Sequence, residues 1–465
     1  MMRKIHFYLQ FALTFAVLLL TACSNDTVST TDKFEKGSTR YTAIIYGQNG
    51  GDMESSIEGT MRDIQSVLGD NDKVRVLLVY KYGGSEKFEG TKAYPGQLLK
   101  FEITKNTDLS NLKDSSAIVE DSIKLYDPDF MASVLNYAHD SLPADEYLLF
   151  VEGHGAGYSF AGDYPKPENE KSKALAKTPD KQVGFFLPDE WVPFAVGGAR
   201  GMTASELAEG IKKSKISHFK AILFNVCLMA NVETLEDIYP YADYLMVSEH
   251  SLLSGRGELM TFIVDALTKN VNGNFEDVAK AVFEDKNVYV PWQASYYDNE
   301  MNGDFQLIKT DKYAVLDSIF KKLSSRLIEL YADESKRPAI DRAADKTYKI
   351  SSEDYLFDAR DYADNLAKET EDETLEEIAD ELGKALDSLS ITHKMEARFA
   401  DDAPLGYFSF SIVLVDSASY NDDMGVFGKT NRDAYELTSF HKKTGWGDWL
   451  NTNTHEPTGN PYGQE

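Results

Sequence analysis

The chain has 465 residues, of which 42% are hydrophobic and 27% charged, with a formal net charge of −28. That length and composition fit a folded body with a sizeable core and exclude a chain disordered throughout. The acidity argues against a nucleic-acid-binding surface, which needs basic patches to meet phosphate; it reads mostly as solubility, with a field that draws cationic substrates toward any cleft as the alternative.

The first residues read as a targeting segment. Arg3 and Lys4 precede the apolar run FALTFAVLLL, too short to span a bilayer comfortably, and the run ends in Leu20-Thr21-Ala22-Cys23. That ending resembles the lipobox of bacterial lipoproteins. The resemblance implies cleavage before Cys23, lipidation of that residue, and anchoring in the cell envelope, at an outer membrane or cell surface, by several acyl chains. Residues 1–22 are then a signal peptide and the polar stretch 23–40 a flexible tether. Of the two cysteines this leaves only Cys227 and no internal disulfide.

Next come short apolar runs alternating with helical spacing. Strands are expected at 42–46, 74–80, 98–103, 147–151, 221–225 and 244–248, with helices near 53–68, 129–140, 203–213 and 228–238. Such alternation predicts an α/β fold with a mostly parallel sheet covered by helices on both faces. The stretch GQNGG at 47–51 lacks the ending of a phosphate loop and reads as a strand-to-helix turn capped by Asp52. Residues 161–200, rich in Pro, Lys and Glu, interrupt the alternation and read as an exposed insertion. Beyond 270, helices are expected at 274–284, 311–330, 352–367 and 374–389, with one more strand at 407–415. The chain thus divides into a core at 41–270 and a largely helical extension at 271–465 that completes the sheet.

Two strand ends carry the chemistry. The run YLLFV gives way to EGHGAGY, setting His154 among glycines, and AILFN is followed by Val226 and Cys227. Active groups in open α/β sheets gather at the carboxyl ends of strands, and a helix N-terminus starting at Leu228 would favour the thiolate. If the two strands are neighbours, imidazole and thiol face one cleft, the arrangement nucleophilic cysteine chemistry needs. The eight histidines include no HExxH, so no zinc site is expected, and His250 reads as a loop histidine. The oxygen-rich run 298–304 lacks EF-hand spacing.

The pattern of His154-Gly155-Ala156-Gly157-Tyr158, then Cys227-Leu228-Met229-Ala230-Asn231-Val232-Glu233, resembles the clostripain-like cysteine peptidases of the caspase-like clan. Weaker pieces agree: Thr203 to Leu207, Ser248-Glu249, Thr438-Ser439-Phe440 and Thr444-Gly445-Trp446. The resemblance implies a caspase-like α/β/α sandwich and a peptidase in which Cys227 is the nucleophile, His154 its partner, and the backbone N–H groups of Gly155 and Cys227 the oxyanion hole. It implies protein or peptide substrates, self-cleavage within 161–200 as an alternative to a plain surface loop, and no cofactor, although some relatives use calcium. A monomer is expected.

Relatives typically select arginine or lysine before the cleaved bond, and many carry an aspartate two residues before the nucleophile, where this chain has Asn225. A weakened basic preference is therefore expected, with Asn225 and Glu249 binding substrate and Glu249, aided by Asp243 or Glu258, supplying the missing charge. The reading from a different class is an inactive surface lipoprotein that keeps the fold to bind peptide or glycan.

Overall fold

The computed structural model describes residues 39–48, 54–82, 97–110, 124–155, 202–250, 258–285, 304–350, 355–395, 409–421 and 435–459, with short pieces at 112, 117–119, 157–158, 185–186, 252 and 432. The signal segment, Cys23, the tether, and all of 161–200 but Phe185–Phe186 lie outside the described residues.

The strands at the centre are β1 (Tyr41–Gln48), β2 (Val74–Lys81), β5 (Glu146–Gly153), β8 (Phe219–Asn225) and β9 (Ala242–Val247). All pair in parallel, in the spatial order β9-β8-β5-β1-β2. Their sequences are near-continuous apolar runs because parallel strands are buried on both faces. Along β1, Ile44 and Tyr46 enter one core while Ala43 and Ile45 enter the other. Helices α1 (Glu54–Leu68), α5 (Glu258–Lys269) and α6 (Phe275–Glu284) cover the face holding Ala43 and Ile45. Helices α2 (Pro128–Ser141), α3 (Ala204–Lys213) and α4 (Val232–Ile238) cover the other, joined by α7 (Val315–Tyr331) and α10 (Glu373–Leu389). The result is the expected α/β/α sandwich.

The edges differ from expectation. β3 (Leu98–Ile103) runs antiparallel to β2 and to β4 (Ala117–Val119). On the far side, β10 (Asp304–Lys309) and β12 (Ser390–Met395) are added antiparallel, making a sheet of nine strands among the described residues. The strand expected at 407–415 shrinks to β13 (Ser411–Val413), which pairs with β11 (Leu356–Asp358) outside the main sheet. β11 also displaces the start of the helix expected from 352, which runs instead as α9, Ala359–Thr370, capped by the Asp358 carboxylate. Sequence reading missed β12 because SITHKM is an edge strand with a polar pattern.

After β13, α12 (Ser439–Thr444) ends at Gly445, in the left-handed region at φ 72°, and α13 (Trp446–Thr452) follows. These pieces clamp α4 and β13: Ser439 Oγ donates to Asp237 at 2.6 Å and Lys443 pairs with Glu236 on α4, and the Trp446 indole donates to Val413 O of β13 at 2.9 Å.

Candidate active site

β5 and β8 are neighbours in register, with Glu152 opposite Asn225. His154 and Cys227 each stand two residues past that pair, so both leave the sheet at the same end. The loop carrying His154 lies directly on the turn carrying Cys227. A Cβ built on Gly155 would sit 2.4 Å from Cys227 O and 3.0 Å from Cys227 N, so only glycine permits this approach. Gly157, at φ 55°, packs the same way on Leu228, whose carbonyl oxygen would lie 2.6 Å from an added Cβ.

The turn after β8 departs from the sequence reading. Leu228 does not begin a helix: it takes φ 62°, rare for a branched side chain, and α4 starts only at Val232 with Asn231 as N-cap. The thiol of Cys227 therefore receives no help from that helix terminus. Its polar contacts come from Leu252 instead, whose N–H donates to Sγ at 3.2 Å and whose carbonyl lies 3.5 Å from Sγ. An N–H aimed at sulfur favours the thiolate. The strained turn is held on both sides: Leu228 N donates to His250 O at 3.1 Å, Ala230 N to Ser248 O at 2.8 Å, and Ser411 N to Ala230 O at 2.8 Å.

The 248–250 loop that accepts two of these bonds is organised by Asp304, at the start of β10. One carboxylate oxygen, Oδ1, accepts from Ser248 Oγ (2.8 Å), Glu249 N (3.0 Å), His250 N (3.1 Å) and His250 Nδ1 (3.0 Å). The second, Oδ2, accepts from Gln306 Nε2 at 2.8 Å, and the far nitrogen of His250 meets Tyr348 OH at 3.1 Å. Burial alone would raise the Asp304 carboxyl; the hydrogen bond and charge of His250 outweigh it and bring it down to about 2. His250 is a loop histidine, as expected, but a buried one held in a hydrogen-bond relay.

Glu233, in the motif that begins at Cys227, is buried and saturated. It accepts from Val413 N (3.0 Å) and Tyr435 OH (2.9 Å) on one oxygen and from Asn231 Nδ2 (2.7 Å) on the other. Burial still pushes its carboxyl up to about 7. The ring of Tyr435 also meets Tyr158 edge-on, with centroids 5.0 Å apart. One C-terminal tyrosine thus braces both the histidine loop and the cysteine turn.

Of the expected substrate-binding residues, Asn225 and Glu249 stand at the carboxyl ends of neighbouring parallel strands. Asn225 is buried at the end of β8 and donates from Nδ2 to Glu152 Oε2 at 2.5 Å. Glu249 is 4% exposed, and burial together with Asp358, Asp304 and Asp361 holds its carboxyl well above the usual range. That favours the neutral form in the absence of a cation. Asp243 lies at the opposite, N-terminal end of β9, bound to His218 and Lys220. The Glu258 side chain lies outside the described residues. Sequence reading missed Asp304, Tyr435 and Glu152; the visible signal for Glu152 was a lone charge closing the apolar run of β5.

An α/β sandwich that brings a histidine loop onto a cysteine turn at the carboxyl edge of its parallel strands defines a caspase-like cysteine peptidase fold. The family model described as the clostripain family, of C11 peptidases, matches residues 60–451, and the chain belongs to that family and is a cysteine peptidase. Solved structures of similar fold include a secreted C11 cysteine protease from Bacteroides thetaiotaomicron, "iotapain" (16% identity, TM-score 0.53, covering 87% of this chain and 99% of that one). Another is an inactive zymogen C11 protease from Parabacteroides distasonis (14% identity, TM-score 0.52, 88% and 99%). A third is a secreted C11 protease from Bacteroides thetaiotaomicron in complex with an irreversible peptide inhibitor (14% identity, TM-score 0.50, 88% and 99%). Comparison with curated protein sequences gives no match.

Proposed function

We propose that the chain is a lipid-anchored endopeptidase in which Cys227 and His154 are the reacting pair. The Cys227 thiolate attacks the scissile carbonyl, and the N–H groups of Gly155 and Cys227 receive the charge that develops on its oxygen. The C–N bond then breaks, the imidazolium of His154 gives its proton to the departing amine, and a thioester remains. Water, deprotonated by His154, hydrolyses the thioester and restores the thiol. The observation that supports this reading is the close approach of the Gly155 backbone to Cys227. A preference for a basic side chain before the cleaved bond is part of the proposal.

Iodoacetamide labelling followed by intact mass tests the pair. Wild type is expected to take one label at Cys227 within minutes near pH 7, losing peptide cleavage in step, and His154→Ala to slow labelling about tenfold or more. A thiol no faster than free cysteine in the folded protein removes Cys227 as nucleophile.

The anchoring rests on Leu20 to Cys23. Among the described residues no helix is long and apolar enough to cross a membrane. Cys23→Ser is expected to move the protein from the membrane to the soluble fraction with peptidase activity retained, because the tether precedes β1. Retention of this variant on membranes defeats the lipid anchor.

A further inference from the structure

The structure leaves one acid next to the reacting pair without an assigned role. Glu152 closes β5 two residues before His154, as Asn225 closes β8 two residues before Cys227, and the register sets them side by side. Leu148 and Phe150 on β5, and Ala221 and Leu223 on β8, enter the core on the α1 side of the sheet. The strand alternation therefore sends Glu152 and Asn225 to that same face. On the other flank of Glu152 stands Gly47 of β1. A Cβ there would meet Tyr80 Cδ2 at 2.9 Å and Glu152 Cβ at 3.0 Å, so this strip of the face has no side chain between the tyrosine ring and the acid.

Glu152 is 0% exposed. Oε2 takes the Asn225 amide, while Oε1 has no hydrogen-bond partner among the described residues. Burial raises its carboxyl to about 7, opposed by the Asn225 bond. A buried carboxyl with one oxygen unsatisfied is costly, and a cation reaching that oxygen relieves the cost. An amide at 225 has no charge to give such a cation, but it fixes the acid beside it.

We propose that Glu152 is the acidic determinant of the pocket for the substrate side chain preceding the scissile bond, and that it receives a guanidinium or ammonium group while Asn225 holds its carboxylate in place. This assignment rests on the peptidase reading above. It moves the specificity charge one strand over, from two residues before the cysteine to two residues before the histidine.

The test uses two fluorogenic peptides that differ only in arginine or citrulline at that position; citrulline keeps the shape and drops the charge. Both values of kcat/KM come from one preparation, so their ratio does not depend on the fraction folded. Wild type is expected to favour arginine. Glu152→Gln is expected to lower the arginine-to-citrulline ratio about a hundredfold. The double variant Glu152→Gln/Asn225→Asp, which carries the charge across to β8, is expected to recover much of it. A Glu152→Gln enzyme with the wild-type ratio, or a wild type indifferent to the charge, overturns the assignment and leaves the Cys227 reading intact. Failure to cleave either peptide, with Cys227 resistant to labelling, overturns both.

Discussion

Gly155→Ala is expected to lower kcat/KM by about a hundredfold or more, with no substitution in either reacting side chain. The added methyl would lie 2.4 Å from Cys227 O and 3.0 Å from both Cys227 N and Val226 Cβ. None of these is the far end of a flexible side chain. The histidine loop must therefore lift away from the cysteine turn, and a displacement of about 1 Å at a reacting centre suffices for such a loss. The proposed oxyanion donors separate in the same movement. The stability cost should stay within about 1–3 kcal/mol, the usual range for overpacking. Peptide cleavage measured beside a thermal melt distinguishes the two effects. A variant that keeps the wild-type rate would mean that Gly155 and Cys227 need not approach during turnover.

Asp304→Ala is expected to produce the largest loss of stability, about 3–5 kcal/mol, together with slower alkylation of Cys227. Removing the carboxylate strands four donors converging on Oδ1 from Ser248, Glu249 and His250, besides the Gln306 amide on Oδ2. The loop they hold supplies the carbonyls that fix Leu228 and Ala230 and leads into the Leu252 N–H on the sulfur. Asp304→Asn keeps the shape and isolates the charge. The Asp304 carboxyl is depressed from 3.8 to about 2. Its stabilising contribution is therefore complete above the unfolded value and is lost as pH falls through the folded one, an effect of about 2 kcal/mol. The deficit of Asp304→Asn relative to wild type in urea melts should be largest near pH 6 and narrow by that amount between about pH 4 and pH 2. A deficit constant across that window would show that the amide replaces the carboxylate without electrostatic loss.

The central sheet was legible because strands buried on both faces must be apolar throughout, as in VRVLLVYK of β2 and AILFN in β8. His154 and Cys227 were legible as polar interruptions at two such strand ends. What the sequence concealed depends on distant partners. Leu228, Val232, Leu235 and Ile238 have the spacing of one helical face, yet hydrogen bonds from Leu228 and Ala230 to the 248–250 loop hold the first turn in another conformation. Asn231 was the available sign, since an amide before Val232 with Thr234 following suits an N-cap. Asp304 stood out only as part of the oxygen-rich run 298–304, because its donors lie more than fifty residues earlier in the chain. The surroundings of Glu249 were likewise hidden, since sequence shows its type and not the three acids near it.

The bracing of the cysteine turn by Ser411, Val413 and Tyr435 also sets an order of events. These contacts span 180 to 202 residues. A growing chain therefore holds its thiol and imidazole long before it has made the strand and the ring that fix them. Contacts so distant in sequence close late in folding, and their closure completes the mouth of the site. Chain length acts as a timer: the turn acquires its finished geometry only after the segment carrying Ser411, Val413 and Tyr435 has been made.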